Sequence, residues 1–333
     1  MLTYCLIGCG RVAHNHITAA KTHHLNIAAL CDINPAAVQE NIGDIDASVY
    51  ENYHDMLREV KPALVAIATP SGLHAQMALD CLAAGAHVII EKPIAMNIND
   101  AQKIAMAAKK AGLVAAVNLQ NRFNPAVQEL KKAVDIGRFG KIYHASMQLN
   151  WHRGQDYYDS APWRGTTALD GGAMMNQGIH GIDLLNWMMG RDPVQVTALT
   201  GTLAREIEAE DSGAALLRYP CGALASIHCT TLRYHGAEEQ TLEINGKNGC
   251  VRLGGTSAQV IDFWRFDDNE PGEDQRMRRE FGENPAHVYG NGHSLFYADV
   301  LQAIAQKTQP LIDAQEGSRA LGIILAAYRL NEK

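Results

Sequence analysis

The run His87-Val88-Ile89-Ile90 leads straight into Glu91, Lys92 and Pro93. A lysine held just past a buried strand is either a plain surface charge or an electrostatic catalyst that stabilises negative charge on a reacting oxygen. A second stretch, from Asp170 to Trp187, suits proton transfer. Helical spacing there places Asn176, His180, Asp183 and Trp187 on one face, beside an apolar stripe of Met175, Ile179 and Ile182. An imidazole titrates near neutral pH and so suits a general base. The bland alternative is a buried, satisfied hydrogen-bond network, because polar groups on an apolar helix are costly to bury alone. With Asn176 one turn before His180, the catalytic reading is preferred.

These residues need elements to position them. A short apolar run ended by a proline reads as a buried parallel strand, so Glu91 and Lys92 stand at its carboxyl end. Ligands of open α/β sheets bind at that edge. The chain starts with the same logic. Residues 2–7 read as a strand, Gly8-Cys9-Gly10-Arg11-Val12-Ala13 follows, and a helix runs from 12 to about 22. This is a GxGxxA form of the dinucleotide fingerprint. Gly8 permits the tight turn, and Gly10 lets backbone N–H groups reach a pyrophosphate at the helix N-terminus. Strand 26–31 ends in Asp32, at the spacing of the acid that accepts from the adenosine ribose. The other reading of Asp32 is a helix cap before Pro35. An acid there repels a 2′-phosphate, which favours NAD over NADP. Strand 64–68 runs into Thr69-Pro-Ser71-Gly-Leu-His74, a wall for the cofactor in which His74 is either a ligand or a first-turn helix residue. Helix 99–111, capped by Asn97 or Asn99, and strand 114–118 complete a doubly wound parallel sheet.

After Pro125 the pattern changes. Segments 142–151, 194–203, 214–219, 223–231, 240–245 and 250–253 alternate as strands, with a hairpin turn at 245–249. They imply an open, mostly antiparallel sheet whose uncovered face invites a homodimer or homotetramer. Segments 292–307 and 314–329 read as amphipathic helices. The expected division is 1–120 for cofactor binding and 121–312 for substrate and oligomerisation, with 313–333 returning to the first domain. The expected fold class is α/β: a Rossmann domain plus a C-terminal α+β domain.

The length of 333 residues suits two domains. A hydrophobic share of 47% with 20% charged residues is that of a globular protein, and a net charge of -7 without a Lys/Arg block argues against nucleic acid. Apolar runs fall short of a membrane span of about 18 residues. The start is expected to carry no signal peptide. Seven cysteines without a CxxC pair suggest a reducing, cytoplasmic setting, with no structural zinc and no disulfide frame.

Taken in order, Gly8 to Ala13, Glu91-Lys92-Pro93 and Gly171 to His180 resemble the Gfo/Idh/MocA oxidoreductase family over essentially the whole chain. The resemblance implies an NAD-dependent enzyme, dimeric or tetrameric, with a Lys92–Pro93 bond that is commonly cis. The family usually has Asp four residues before its catalytic His, whereas this chain has Asn176. An amide cannot accept that proton, so Asn176 is assigned to substrate positioning. Residues 120–125, 163–166 and 175–177 are similar to a branch of dehydrogenases that oxidise the C3 hydroxyl of UDP-N-acetylglucosaminuronic acid. That resemblance implies His180 as general base and Lys92 as the group that hydrogen-bonds the reacting oxygen; Lys92 as the base is the rival. Glu91 and Gln120 would line the nicotinamide ribose, and Trp163 and Arg164 the nicotinamide end. Arg122 and Arg164 are each either a partner for the uronate carboxylate, which a guanidinium fork matches, or a structural ion pair. The alternatives are a dehydrogenase of a free sugar, inositol or related polyol, and a non-catalytic NAD-binding regulator.

Overall fold

A computed structural model describes residues 1–283 and 292–331. The chain forms two compact units: Met1–Leu119 with His293–Ser318, and Gln120–Gly292 with Arg319–Lys333.

In the first unit the elements are β1 (Thr3–Ile7), α1 (Ala13–Thr22), β2 (Asn26–Cys31), α2 (Pro35–Ile42), β3 (Ser48–Tyr50), α3 (Tyr53–Val60), β4 (Leu64–Ile67), α4 (His74–Ala83), β5 (His87–Glu91), α5 (Ile98–Ala111) and β6 (Ala115–Asn118). Among the described residues the strands make a six-stranded sheet in the order β3-β2-β1-β4-β5-β6, with every pair parallel. The order reverses between β1 and β4, the switch point where such sheets bind ligands. The central strands are continuous apolar runs because both faces are covered; every residue of β4 and β6 is buried. Asn34 caps α2 and Asn97 caps α5, each accepting a backbone N–H of the first turn. The cap before Pro35 is therefore Asn34 and not Asp32. Strand β3 escaped the sequence reading because it is a three-residue edge strand without a buried residue. Among the described residues no helix is long and apolar enough to cross a membrane.

The second unit contains α6 (Pro125–Asp135), β7 (Ile142–Asn150), α7 (Gln155–Asp159), α8 (Ile179–Met189), β8 (Gln195–Gly201), β9 (Ser212–Arg218), β10 (Leu224–Thr230), β11 (Glu239–Gly246), β12 (Gly249–Gly254), β13 (Val260–Phe266) and α9 (Glu273–Glu280). Its described strands form a seven-stranded sheet, β13-β12-β11-β7-β10-β9-β8, antiparallel except for β10 beside β7. Helix α8 lies against β7 and β11 and buries Ile179, Ile182, Leu184, Leu185 and Met188. Alternate residues of β7 to β10 face outward, and Tyr143, Leu199, Leu216 and Leu224 are exposed there. Strand β13 and helix α9 go beyond the expected elements.

The remaining helices are α10 (Gly292–Gln306), α11 (Ala314–Gly317) and α12 (Arg319–Arg329). The first unit is closed by residues up to Ser318: Ile312 accepts the Val117 N–H, and Asp313 bridges to Ala116 beside β6. The expected return of 313–333 to the first domain stops at Ser318. Helix α12 belongs to the second unit, where Ala320, Leu321, Ile323, Ile324 and Ala327 are buried and contacts run to α8 and β8.

Candidate active site

The glycine loop is fixed by its backbone. Gly8 has a φ of 93°, and a Cβ there would meet the Ala68 carbonyl oxygen at 2.5 Å, so no other residue fits without strain. Cys9 donates its N–H to Asp32 Oδ2 at 2.7 Å, Asn34 donates to Asp32 Oδ1 at 2.8 Å, and Asn41 Nδ2 donates to the Cys9 carbonyl at 3.0 Å. Each Asp32 oxygen keeps a second acceptor direction. Gly10 and Arg11 are exposed, Val12 half-buried, and no atom lies within 4 Å of a Cβ built on Gly10. This leaves the N-terminus of α1 open to a pyrophosphate. Thr69 is half-buried and Ser71 buried.

His74 is a bridge inside the wall. It is buried, with Nδ1 2.8 Å from the Pro93 carbonyl and Nε2 2.9 Å from the Thr69 carbonyl. Burial pushes its pKa down, against the pull of those two carbonyls. A neutral ring donates to only one of them. The first-turn structural reading is the one the geometry gives.

Strand β5 delivers Glu91 and then Lys92, which is half-buried and joined to Pro93 by a cis bond. Expected to line a ribose, Glu91 instead turns its carboxyl into a buried network. It accepts from Asn118 Nδ2 at 2.5 Å and from His16 Nε2 at 3.0 Å, with His293 Nε2 4.0 Å away. On the far side of the His16 ring, Nδ1 lies 2.7 Å from the Tyr297 hydroxyl, which lies 2.9 Å from that of Tyr4. Burial alone would raise the Glu91 pKa, but the bond and charge of His16 outweigh it and hold the carboxyl below the usual range. The network fixes the strand end that carries Lys92. His16, Asn118, Tyr297 and Tyr4 gave no motif signal, since their partners lie far away in sequence.

In the second unit, residues Gln120–Phe123 form a 3-10 turn in which Gln120 is buried. Arg122 is 1% exposed. Its Nε and Nη2 donate to Asp183 at 2.7 and 2.5 Å, and the guanidinium lies 4.9 Å from the centre of the Trp187 ring. This is the structural ion pair, and it corrects the substrate reading of Arg122. A buried fork of this kind holds α8 in place, because removing either partner strands a charge.

The helical face from Asn176 to Trp187 is also corrected. Residues Ala173–Gly178 form a π turn that passes into α8. Hydrogen bonds in a π turn reach five residues, so the 3.6 spacing that aligned Asn176 with His180 does not hold through it. Both side chains are half-buried, whereas Asp183 is buried. Asp170, 1% exposed, joins Asn176 to the neighbouring loop: it accepts from Asn176 Nδ2 at 2.5 Å and from the Gly165 N–H at 2.8 Å. In that loop Arg164 donates to the Tyr157 hydroxyl at 2.7 Å and to Ser160 Oγ at 3.1 Å, and stacks 4.5 Å from the centre of the Trp163 ring. Thus Trp163, Arg164 and Asn176 belong to one cluster. Lys92 belongs to the first unit and His180 to the second.

Residues 2–119 match the oxidoreductase family with an NAD-binding Rossmann fold, and residues 127–252 match the GFO/IDH/MocA C-terminal domain. The WlbA dehydrogenase of Bordetella pertussis, solved with NADH and UDP-GlcNAcA, is 39% identical, with a TM-score of 0.90, covering 99% of this chain and 95% of that one. The chain belongs to the Gfo/Idh/MocA oxidoreductase family.

The WlbA dehydrogenase of Chromobacterium violaceum, also solved with NADH and UDP-GlcNAcA, is 37% identical over 99% of this chain and 93% of that one, with a TM-score of 0.91. The rhizopine catabolism protein MocA of Rhizobium meliloti is 28% identical over 215 residues, which span 64% of this chain and 65% of that protein. NAD is the cofactor of this family member. The open space at Gly10, the unblocked N-terminus of α1 and the Asp32 carboxylate at the end of β2 fit a dinucleotide. Among the described residues, no group of three His, Cys, Asp or Glu side chains could hold a metal ion.

Proposed function

We propose that this protein oxidises the C3 hydroxyl of UDP-N-acetylglucosaminuronic acid to the ketone, with NAD. The observation that carries this reading is the likeness, over almost the full length, to two enzymes solved with that nucleotide sugar. Asn176, His180, Lys92 and Arg164 supply the side chains the reaction needs. NAD, when bound, accepts the hydride released from C3. His180 takes the hydroxyl proton at a ring nitrogen as the C–H bond breaks, so that one hydride and one proton leave the alcohol. Lys92 donates to the same oxygen and stabilises its alkoxide character. Asn176, oriented by Asp170, positions the sugar. With Arg122 bound to Asp183, Arg164 is the guanidinium for the uronate carboxylate.

Gly8, Gly10, Arg11 and Val12 hold the diphosphate, and Asp32 takes the adenosine ribose. Thr69 and Ser71 form the wall on which His74 acts as a brace. Gln120 and Trp163 lie toward the nicotinamide. A second copy of the chain covers the outward face of β7 to β10, where Tyr143, Leu199, Leu216 and Leu224 alternate with polar residues. Leu216→Asp is expected to yield monomers on light scattering; an unchanged mass moves the interface elsewhere.

The deciding experiment follows nicotinamide absorbance when protein and NAD meet UDP-N-acetylglucosaminuronic acid, UDP-N-acetylglucosamine or myo-inositol. A rise with the uronate alone is expected. A rise with myo-inositol alone overturns the substrate while keeping the chemistry.

A further inference from the structure

Beneath the start of the π turn lies a carboxyl group that none of these roles uses. Glu210 sits just before β9 and is buried. Its backbone carbonyl accepts the Ala173 N–H at 2.8 Å. Its Oε1 accepts the Met174 N–H at 2.9 Å and the Tyr328 hydroxyl of α12 at 2.8 Å. Ala173 and Met174 are the first two residues of the turn, whose N–H groups have no partner within it. The approach is close: a Cβ on Gly172 would collide with the Glu210 carboxyl. One residue therefore seats both leading N–H groups of the segment that carries Asn176 and runs into His180.

The groups facing Glu210 are Tyr328 on α12, Cys229 on β10 and its neighbour Asp211. The Asp211 carboxylate turns to the N–H groups of Leu203, Ala204 and Arg205. Burial pushes the Cys229 thiol and the Tyr328 hydroxyl up, so both stay neutral. None of these three groups is a cation. Burial pushes Glu210 up to about 7, against the pull of the Met174 N–H and the Tyr328 hydroxyl. An ionised carboxylate here costs stability that a neutral amide would not.

We propose that Glu210 is a positioning residue, whose buried carboxyl group seats the π turn and so aims Asn176 and His180 at the reacting hydroxyl. The inference rests on the placement of those two residues at the substrate. An acid whose folded pKa is raised binds its proton more readily in the native state, so its stability contribution falls as pH rises from its ordinary 4.5 toward about 7. Glu210→Gln keeps an acceptor for Met174 but cannot ionise.

The test compares wild type, Glu210→Gln and Tyr328→Phe as full chains. It uses amide exchange of residues 173–182 across pH, thermal midpoints, and turnover of the uronate. In wild type, protection of 173–182 is expected to fall as pH rises from 4.5 toward about 7, and in Glu210→Gln to stay flat. The Gln variant should melt above wild type on the alkaline side and level with it on the acid side. Its kcat should fall about tenfold, with the KM for NAD changed less than about twofold. Tyr328→Phe, which removes a bond to the carboxylate, should move the protection midpoint to higher pH. Unchanged protection and kcat profiles in Glu210→Gln would overturn the proposal. So would joint loss of kcat, NAD binding and melting temperature at every pH. Failure of wild type to oxidise the uronate refutes the substrate reading alone, because the exchange measurement needs no substrate.

Discussion

Gly8 and Gly172 each stand where a side chain would collide with a neighbour, but the neighbours differ in kind. At Gly8 the obstacle is the backbone of the next strand in the sheet, Ala68 and Thr69. At Gly172 it is Glu210, through both its carboxyl and its backbone carbonyl, brought in from a distant loop. The first arrangement is part of a repeating βα unit, so a local pattern of glycines announces it. The second depends on one long-range contact and yields an irregular turn. The glycine loop of the first unit is thus defined by local motif, and the π turn of the second by tertiary contact.

The sharpest way to break this comparison is to remove one reacting group from each unit. Lys92→Ala and His180→Ala are each expected to lower kcat by about 10²–10⁴-fold with NAD affinity nearly intact, by titration calorimetry. If either variant keeps wild-type kcat, its unit does not supply a reacting group. If both lose NAD binding as well, the division of labour between the units is wrong.

The next largest contrast lies between two arginines of the second unit. Arg122→Met strands the buried Asp183 carboxylate and is expected to cost about 3–5 kcal/mol in denaturant unfolding. Arg164 is only half-buried and bound to Tyr157 and Ser160. Arg164→Met should leave stability within about 1 kcal/mol and raise the KM for the uronate about tenfold or more. A reversal of the two outcomes would return Arg122 to the substrate.

These residues also mark how far the sequence is legible. The order of strands and helices in the first unit follows from apolar runs and breakers, and the end of β5 at Glu91 is where the run of Val88 to Ile90 puts it. The carboxyl-end placement of Lys92 and the cap Asn97 are local effects, whereas the cap before Pro35 falls to Asn34 and not to Asp32. Asp183 looked like a candidate on a polar face because periodicity cannot name a partner; Arg122 lies 61 residues away. The π turn was hidden for the same reason. Nothing in Ala173 to Gly178 forbids an α-helix locally, and its leading N–H groups are held by Glu210, 36 residues away from Met174. Strand β13 carries no clean period of two, since Val260-Ile261 and Phe263-Trp264 are apolar pairs divided by Asp262, so alternation does not mark it.

A smaller effect separates two windows of pH in the first unit. Burial and the nearby His16 push His293 down to about 4, with Glu91 pulling the other way. A histidine with a depressed folded pKa loses stability as pH falls from its ordinary 6.5 toward that value. Glu91 is itself depressed, so its contribution is present above 4.5 and is lost only as pH falls below that. Wild-type stability should thus fall in two stages on acidification, the first worth about 3 kcal/mol as an upper figure. His293→Gln should flatten the upper stage, and Glu91→Gln the lower, in unfolding curves taken across pH. A single stage lost equally in both variants would mean that the pair titrates as one unit.

The smallest expected effect tests the glycine loop itself. Asp32 does two jobs that a plain deletion confuses. Its oxygens hold the N–H groups of Cys9 and Asn34, and in its proposed role its negative charge meets the adenosine ribose. Loosening the loop weakens any dinucleotide, whereas losing the charge helps only one that carries a 2′-phosphate. The ratio of affinities therefore carries the information. Asp32→Ala should weaken NAD about tenfold, close to 1.4 kcal/mol, while NADP changes less than about threefold. Asp32→Asn, which keeps one acceptor oxygen and loses the charge, should shift the ratio in the same direction with a milder loss of NAD. Equal weakening of both cofactors in both variants would confine Asp32 to bracing the loop. The choice of NAD over NADP would then lie with another residue.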